Sequence, residues 1–345
     1  MNKKRILIML VVLAVLCALI YLQVRTWKRF DWHTFLQQTE HVNWLLIFAG
    51  VVLTYAAYAL RAVRWKIFLK PVCNTTSARL MAPQFIGFTA LALLGRAGEV
   101  VRPYIIARKE NLTLASQMAV WTVERIFDMG GFAVLLALSF LSTDLRALPF
   151  YHGLREGAFA LFALVLGLVV AMVIIRKAGE RVGNLLHDLF AGSFPRFAHH
   201  LRDKIRSFSV GLETIHGLGA ALQLTALSIF MWMLIALDYI AIMHAYPGTL
   251  HQATLPMAIL LMGASMIGSL LQLPGVGGGS QLATIGMLSA AFSIPHELAV
   301  SCGMLIWAVT FMSVIPAGLL LAHRERVSLR EVEEEAEEKA AALNP

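Results

Sequence analysis

Leu94-GRAGEVVRP-Tyr104 and Leu271-QLPGVGGGSQ-Leu282 each interrupt a long hydrophobic stretch at mid-length with polar and glycine-rich residues. Backbone released from helical hydrogen bonds is costly in hydrocarbon, so irregular segments at membrane depth persist only where protein or a water-filled cavity satisfies them. Paired broken helices of this kind surround the binding site of membrane carriers, and the two stretches predict such a site here.

The surrounding composition agrees. Of 345 residues, 58% are hydrophobic and only 14% charged, and the mean hydropathy is +0.70. That balance excludes an ordinary soluble domain and predicts a polytopic membrane protein. Apolar runs near the roughly 20 residues that cross a bilayer fall at 6–22, 44–62, 118–141, 158–175, 218–245 and 299–321, with the broken stretches at 80–108 and 255–292. The run after Met1-NKKR exceeds a secretory h-region, and no small-residue cleavage site precedes Arg25, so it reads as an anchor rather than a leader. Cys17, Cys73 and Cys302 are widely separated and predict neither a disulfide framework nor a metal site.

The formal net charge of +8 is explained by its distribution better than by nucleic acid, which is not expected as a partner. With the N-terminus in the cytoplasm, inside segments carry Lys3, Lys4 and Arg5, then Arg61, Arg64, Lys66, Lys70 and Arg79. The long loop 176–217 adds Arg176, Lys177, Arg181, Arg196, Arg202, Lys204 and Arg206, whereas the outside holds Arg25, Lys28, Arg29, Arg146 and Arg155. The positive-inside rule then puts both termini in the cytoplasm.

Six full spans plus two re-entrant hairpins keep the basic loops on one side. The first hairpin starts from the cytoplasm and returns at Arg108, Lys109 and Glu110; the second starts from outside, because residues 246–252 carry no Lys or Arg. Span, hairpin, span recurs with opposite starting sides, an inverted repeat. The expected layout is an anchor at 1–24, an outer interfacial segment at 25–43, and a first repeat at 44–142 with hairpin 80–108. An outer loop and span follow at 143–176, then a basic interfacial loop at 177–217, a second repeat at 218–322 with hairpin 255–292, and an acidic tail at 323–345. Eight full spans with glycine kinks also keep both termini inside, but move residues 108–111 outside against their charge.

Three peripheral segments read as supports. Trp27, Phe30, Trp32 and Phe35 suit an interfacial helix; Val182, Leu185, Leu186 and Leu189 repeat at helical spacing among basic residues; and residues 331–339 form an acidic run. His199 and His200 read as a solvated pair.

Ionisable groups at bilayer depth cost about 2.5 kcal/mol or more each on insertion scales, so they call for partners or a function. Arg96, Glu99 and Arg102 lie in or just after the first turn, and Glu124, Arg125 and Asp128 lie in the next span, with both carboxylates on one helical face. Arg96 or Arg102 with Glu124, and Glu99 with Arg125, would form pinning ion pairs; handling a substrate is the equally open alternative. Asp238 has no evident local partner and leans towards function. The second turn, with Pro274, Gly275, Gly277 and Gly278, offers backbone N–H groups and a following helix N-terminus suited to phosphate; a purely structural turn is the alternative. Gln281 follows it. A zwitterionic or anionic lipid headgroup fits this set.

With Arg61-AVR-Trp65, Gly95-RAGEVVRP-Tyr104, Glu124-RIF-Asp128 and Pro274-GVGG-Gly279 in this order, the chain resembles the flippase-like membrane family typified by the transmembrane half of lysylphosphatidylglycerol synthase. The resemblance runs from about Val42 to Leu321. Two positions depart from the family pattern: Leu94 stands where a proline is usual, and Gln281 where a glutamate is common. What the resemblance implies is movement of a phospholipid or lipid-linked precursor between leaflets. It does not imply aminoacyl transfer, which the family's synthases carry in an additional soluble domain, and the short tail here leads to the expectation of a chain that is not an enzyme.

The expectation is therefore an all-α cell (inner) membrane protein with six full transmembrane helices and two opposed re-entrant hairpins, acting as a flippase or scramblase-like lipid transporter. Arg96, Arg102 or the glycine turn would meet the phosphate, and Glu124, Asp128 and Asp238 an amine or sugar hydroxyls. No cofactor or ATP site is expected, and the acids leave proton coupling open. A membrane-embedded enzyme or accessory subunit acting on a polyprenyl- or phospholipid-linked substrate is the rival, although Asp31 and Glu40 are too far apart for the paired acids of polyprenyl-linked transferases. A homo-oligomer, permitted by Ala264-xxx-Gly268, or an envelope-biogenesis enzyme stands as a further partner.

Overall fold

The computed structural model describes residues 32–142, 151–191, 217–273 and 277–325. The first anchor, Pro274, Gly275, the loop beyond residue 191 with His199 and His200, and the acidic tail lie outside the described residues.

A short helix α1 (Trp32–Glu40) precedes α2 (Trp44–Leu69), whose start is capped by Asn43 accepting the Leu45 N–H at 3.0 Å. No glycine or proline interrupts α2 after Gly50 until Pro71, so the helix continues well past the apolar run 44–62. α3 (Ser77–Leu94) is capped by Thr76 and stops at Gly95, whose φ of 65° suits a residue without Cβ. A 3₁₀ turn (Gly95–Val100) leads into α4 (Val101–Lys109) and then α5 (Leu114–Ser142). α6 runs unbroken from Tyr151 to Ala191, through the boundary expected at residues 176 and 177.

In the second half α7 (Gly217–His244) precedes α8 (Leu255–Gly268). A 3₁₀ turn (Ser269–Leu271) and a minimal antiparallel ladder of β1 (Gln272–Leu273) with β2 (Gly277–Gly278) form the second break, before α9 (Gly279–Ala290). α10 (His296–Trp307) and α11 (Val314–Arg324) make one continuous path through a π-helical turn (Ala308–Met312). Pro316 lacks the N–H that would reach Met312, four residues back, which accounts for the distortion there. The loosened carbonyls find donors elsewhere: Tyr58 Oη donates to Thr310 O at 2.9 Å and Tyr55 Oη to Ser313 O at 2.7 Å, while Thr89 Oγ1 donates to Val314 O at 3.2 Å.

Four helical stretches, Trp44–Leu69, Ser77–Leu94, Gly219–His244 and His296–Arg324, are long and apolar enough to cross a membrane. Apart from the two-residue ladder, the regular elements among the described residues are helical, and the chain is a multi-pass membrane protein. The first break is off-centre rather than at mid-length: α3 has 18 residues and α4 only 9, against 14 and 12 for α8 and α9. The start of α3 and the end of α4 nevertheless lie side by side, with Arg79 Nη2 donating to Lys109 O at 2.8 Å and Arg79 Nε 3.0 Å from Glu110 Oε1.

The halves interleave. α2 packs on α7, α3 on α11, α5 on both α7 and α8, and β1 against the first 3₁₀ turn. A large apolar cluster including Phe132, Met231, Leu261 and Ile306 joins α2, α5, α7, α8 and α10, and a second around Trp65, Phe68, Ile106 and Val123 closes the opposite end of α2. Close backbone approach is built in at Gly318, where a Cβ would overlap the Thr89 side chain.

Candidate functional site

Arg61 and Arg64 sit one turn apart on α2, and Glu124 and Asp128 one turn apart on α5, so two facing helices present paired cations to paired anions. Arg64 bridges both acids: Nη2 donates to Glu124 Oε1 and Nη1 to Asp128 Oδ1, each at 2.6 Å, and Nη1 also reaches Ser228 Oγ on α7 at 2.9 Å. Arg102 on α4 pairs with Glu124 through Nη2 and Oε2, and its Nη1 donates to Gln84 Oε1 at 2.9 Å. Arg61 lies 3.4 Å from Asp128 Oδ2, and Arg125 Nη2 lies 3.0 Å from the same oxygen. All four carboxylate oxygens are therefore engaged. Isolated buried ions carry a penalty of several kcal/mol each, which the mutual attraction and the fully engaged carboxylates of this network offset.

Aromatic rings complete the setting. The Arg102 guanidinium lies 4.5 Å from the Trp65 ring centre and 5.3 Å from that of Phe88, and Arg61 lies 4.9 Å from Phe88. Trp65 is itself held by donation from Nε1 to Gln117 Oε1 at 3.1 Å.

Four guanidiniums against two carboxylates leave the network with two excess positive charges. That excess borders a cavity of about 250 Å³ lined by Arg61, Arg125 and Glu99, with Thr54, Ser265 and Thr310 supplying hydroxyls. Tyr58, Phe88, Trp232 and Phe311 add aromatic wall. The cavity draws its lining from α2, α3, α5, α7, α8, the first 3₁₀ turn and the π turn, so it lies between the interleaved halves. Arg61, Arg125 and Trp232 each keep one buried N–H donor without a partner.

The family model described as the lysylphosphatidylglycerol synthase TM region matches residues 6–318. The chain belongs to this family. No curated protein and no solved structure matches it. Family membership overturns the expectation of a chain that is not an enzyme: the family takes its description from the membrane region of a synthase, so the lack of a recognised catalytic motif no longer separates this chain from enzyme chemistry.

The structure brings Arg102, Glu124, Arg125 and Asp128 together, including the Arg102–Glu124 pair. Glu99 and Arg125 line one cavity without pairing with each other; Arg125 turns instead to Asp128 and Glu124. Arg96 lies on the same 3₁₀ turn, and its side chain is outside the description. Glu124 and Asp128 are held by arginines and do not line the cavity. Asp238 is apart from the network, on α7, where it accepts from Thr54 Oγ1 at 2.9 Å, so it does have a partner from α2. Gly277 and Gly278 form strand β2, and the Gly278 N–H is already taken by Gln281 Oε1 at 2.9 Å. Gln281 thus caps α9, and that donor is not free for a phosphate.

Arg61 and Arg64 are the residues that sequence reasoning misplaced. Read as topology-setting charges in a loop, they are helical, 6% and 1% exposed, and ion-paired. The available signal was the unbroken stretch to Pro71, which carries α2 past both arginines before any helix stop.

Proposed function

We propose that the chain is a lipid transporter of flippase or scramblase type, moving a phospholipid or lipid-linked precursor headgroup between leaflets of the cell (inner) membrane. The observation that carries this reading is the cavity between the interleaved halves, bordered by a network with two excess positive charges. Its about 250 Å³ suits a phosphate-bearing headgroup, with acyl chains left in the lipid. Arg61 and Arg125 would meet the phosphate, and Glu99 and the hydroxyls of Thr54, Ser265 and Thr310 the remainder of the headgroup. Arg102, Glu124 and Asp128 set the positions of the two arginines. Gly277, Gly278 and Gln281 shape the second break behind α8 rather than binding.

The proposed topology has six full spans, two re-entrant broken stretches (α3–α4 and α8–α9) in an inverted repeat, and both termini in the cytoplasm. The juxtaposition of Arg79 with Lys109 and Glu110 supports the first hairpin, because a single kinked span would separate its ends across the membrane. The pair Lys109 Nζ–Glu325 Oε1 at 2.5 Å supports a common face for the ends of α4 and α11.

Reconstitution with a headgroup-labelled phospholipid tests the function. The wild-type chain is expected to speed leaflet exchange, Arg125→Gln to reduce it strongly, and Arg155→Gln, on the exposed part of α6, to leave it unchanged. Exchange no faster than in protein-free vesicles would sink the transport reading. The family's description favours one second reading, a site presenting a lipid for an enzymatic step; conversion of a phospholipid or lipid-linked substrate by the purified chain would establish it.

A further inference from the structure

Asp238 is a fully buried carboxylate that the arginine network leaves untouched. Among the described residues no cation lies within ion-pair distance of it. Thr54 Oγ1 donates to Oδ2 at 2.9 Å, while Oδ1 has no partner at all. The backbone of α2 crowds that free oxygen: a Cβ on Gly50 would fall 2.6 Å from it. The surrounding groups supply little charge. The phenols of Tyr58 on α2 and Tyr239 on α7 are the titratable neighbours, with the Cys302 thiol on α10 beyond Tyr239. Arg61, two turns along α2 from Thr54, is engaged with Asp128.

An ionised carboxylate in apolar surroundings with one hydroxyl donor is far costlier than its neutral acid, so a proton stabilises this site. The donor from Thr54 occupies Oδ2, which leaves Oδ1 as the oxygen that carries the proton. Access is short, because Thr54 and Tyr239 are both cavity-lining residues. Asp238 therefore stands one hydrogen bond behind the wall of the cavity.

We propose that Asp238 is a proton-binding site coupled to the cavity: it holds a proton on Oδ1 while the cavity is closed and dry, and releases it past Thr54 when water enters. This inference rests on the lipid-transport reading for what the proton drives, but not for the existence of the site. Two measurements separate them. Difference infrared spectroscopy during a pH titration of the reconstituted wild-type protein should show the C=O stretch of a protonated carboxylic acid at neutral pH, lost in Asp238→Asn. A wild-type spectrum without that band, or a band surviving in the variant, overturns the proton site whether or not lipid moves. In vesicles, an imposed pH gradient should raise labelled-lipid exchange several-fold in wild type and not in Asp238→Asn. Exchange in wild type that ignores the gradient overturns the coupling while leaving transport intact. Thr54→Val keeps the acid and removes the donor that favours its charged form; its band should persist to higher pH than in wild type. A band that titrates at lower pH in Thr54→Val, or at the wild-type pH, counts against the proposed geometry.

Discussion

At the first break, six residues wind into a 3₁₀ turn that bears Glu99 and packs beside the cluster of arginines and acids; at the second, a two-residue ladder carries no charge and is closed by Gln281. Both solve the same problem, because unwound backbone at membrane depth must be satisfied within the protein. Both rely on close backbone approach, at Gly98 and at Gly268; the first leads directly into Arg102, which is ion-paired to Glu124, whereas the second is closed by one side-chain cap. The charged residues that line the cavity, Arg61, Glu99 and Arg125, all come from the first half, whereas the second half lines it with hydroxyls, Ser265 and Ser269 among them, and no charge.

The sharpest way to break that contrast is at Glu124. Glu124→Ala leaves Arg102 without an acid and Arg64 with Asp128 alone, and a loss of about 3–5 kcal/mol is expected, as for removal of one member of a buried pair. Thermal unfolding of the detergent-purified protein measures it, and a shift no larger than that of a surface variant would show that the network does not hold the first half together.

Glycine substitutions probe what the breaks share. A Cβ at Gly98 would overlap the Ala90 backbone, and one at Gly268 would overlap Gly279 O, so Gly98→Ala and Gly268→Ala should each cost about 1–3 kcal/mol. Gly286→Ala, with open space at its Cβ, is the control and should be neutral or slightly stabilising. If only one of the pair is sensitive, the breaks differ in tightness as well as in charge.

The second break alone depends on its cap. Gln281→Ala should cost about 1 kcal/mol by freeing the Gly278 N–H, and hydrogen exchange at that amide should accelerate without change at Gly95. An unchanged exchange rate at Gly278 would argue against the cap.

The smallest effect lies where the two ends of the first hairpin meet, beside Arg79 and Glu110. Burial pushes the Cys73 thiol up, Glu110 adds to this and Arg79 opposes it. Because the reactive thiolate is scarcer when the thiol is raised, maleimide labelling of Cys73 should be slow at neutral pH and faster in Glu110→Gln. Equal rates in both proteins would mean that Glu110 does not reach the thiol.

Much of this arrangement was legible in the residues. Two breaks, their glycines, and the i, i+4 acids of α5 follow from hydropathy and helical spacing, which are local properties. Arg102 with Glu124 was also readable as a pair, since both are charges placed where charge is expensive. Arg61 and Arg64 were not read correctly, because basic residues at the end of an apolar run look the same whether they face water or turn inward to facing acids. Glu99 with Arg125 failed as a pair for a related reason: Asp128, one turn along α5, is a nearer partner for Arg125.

By itself the sequence determined that this chain is helical and membrane-embedded, where its helices break, and that it keeps ionisable groups among apolar ones; these depend on composition and on neighbours within a few residues. Only the tertiary structure decided which charges cancel, which two arginines are left beside a cavity, and that Asp238 faces Thr54 with one oxygen unpaired. Those outcomes depend on distances between helices far apart in the chain, where electrostatic energies change steeply with a few ångströms and with the exclusion of water.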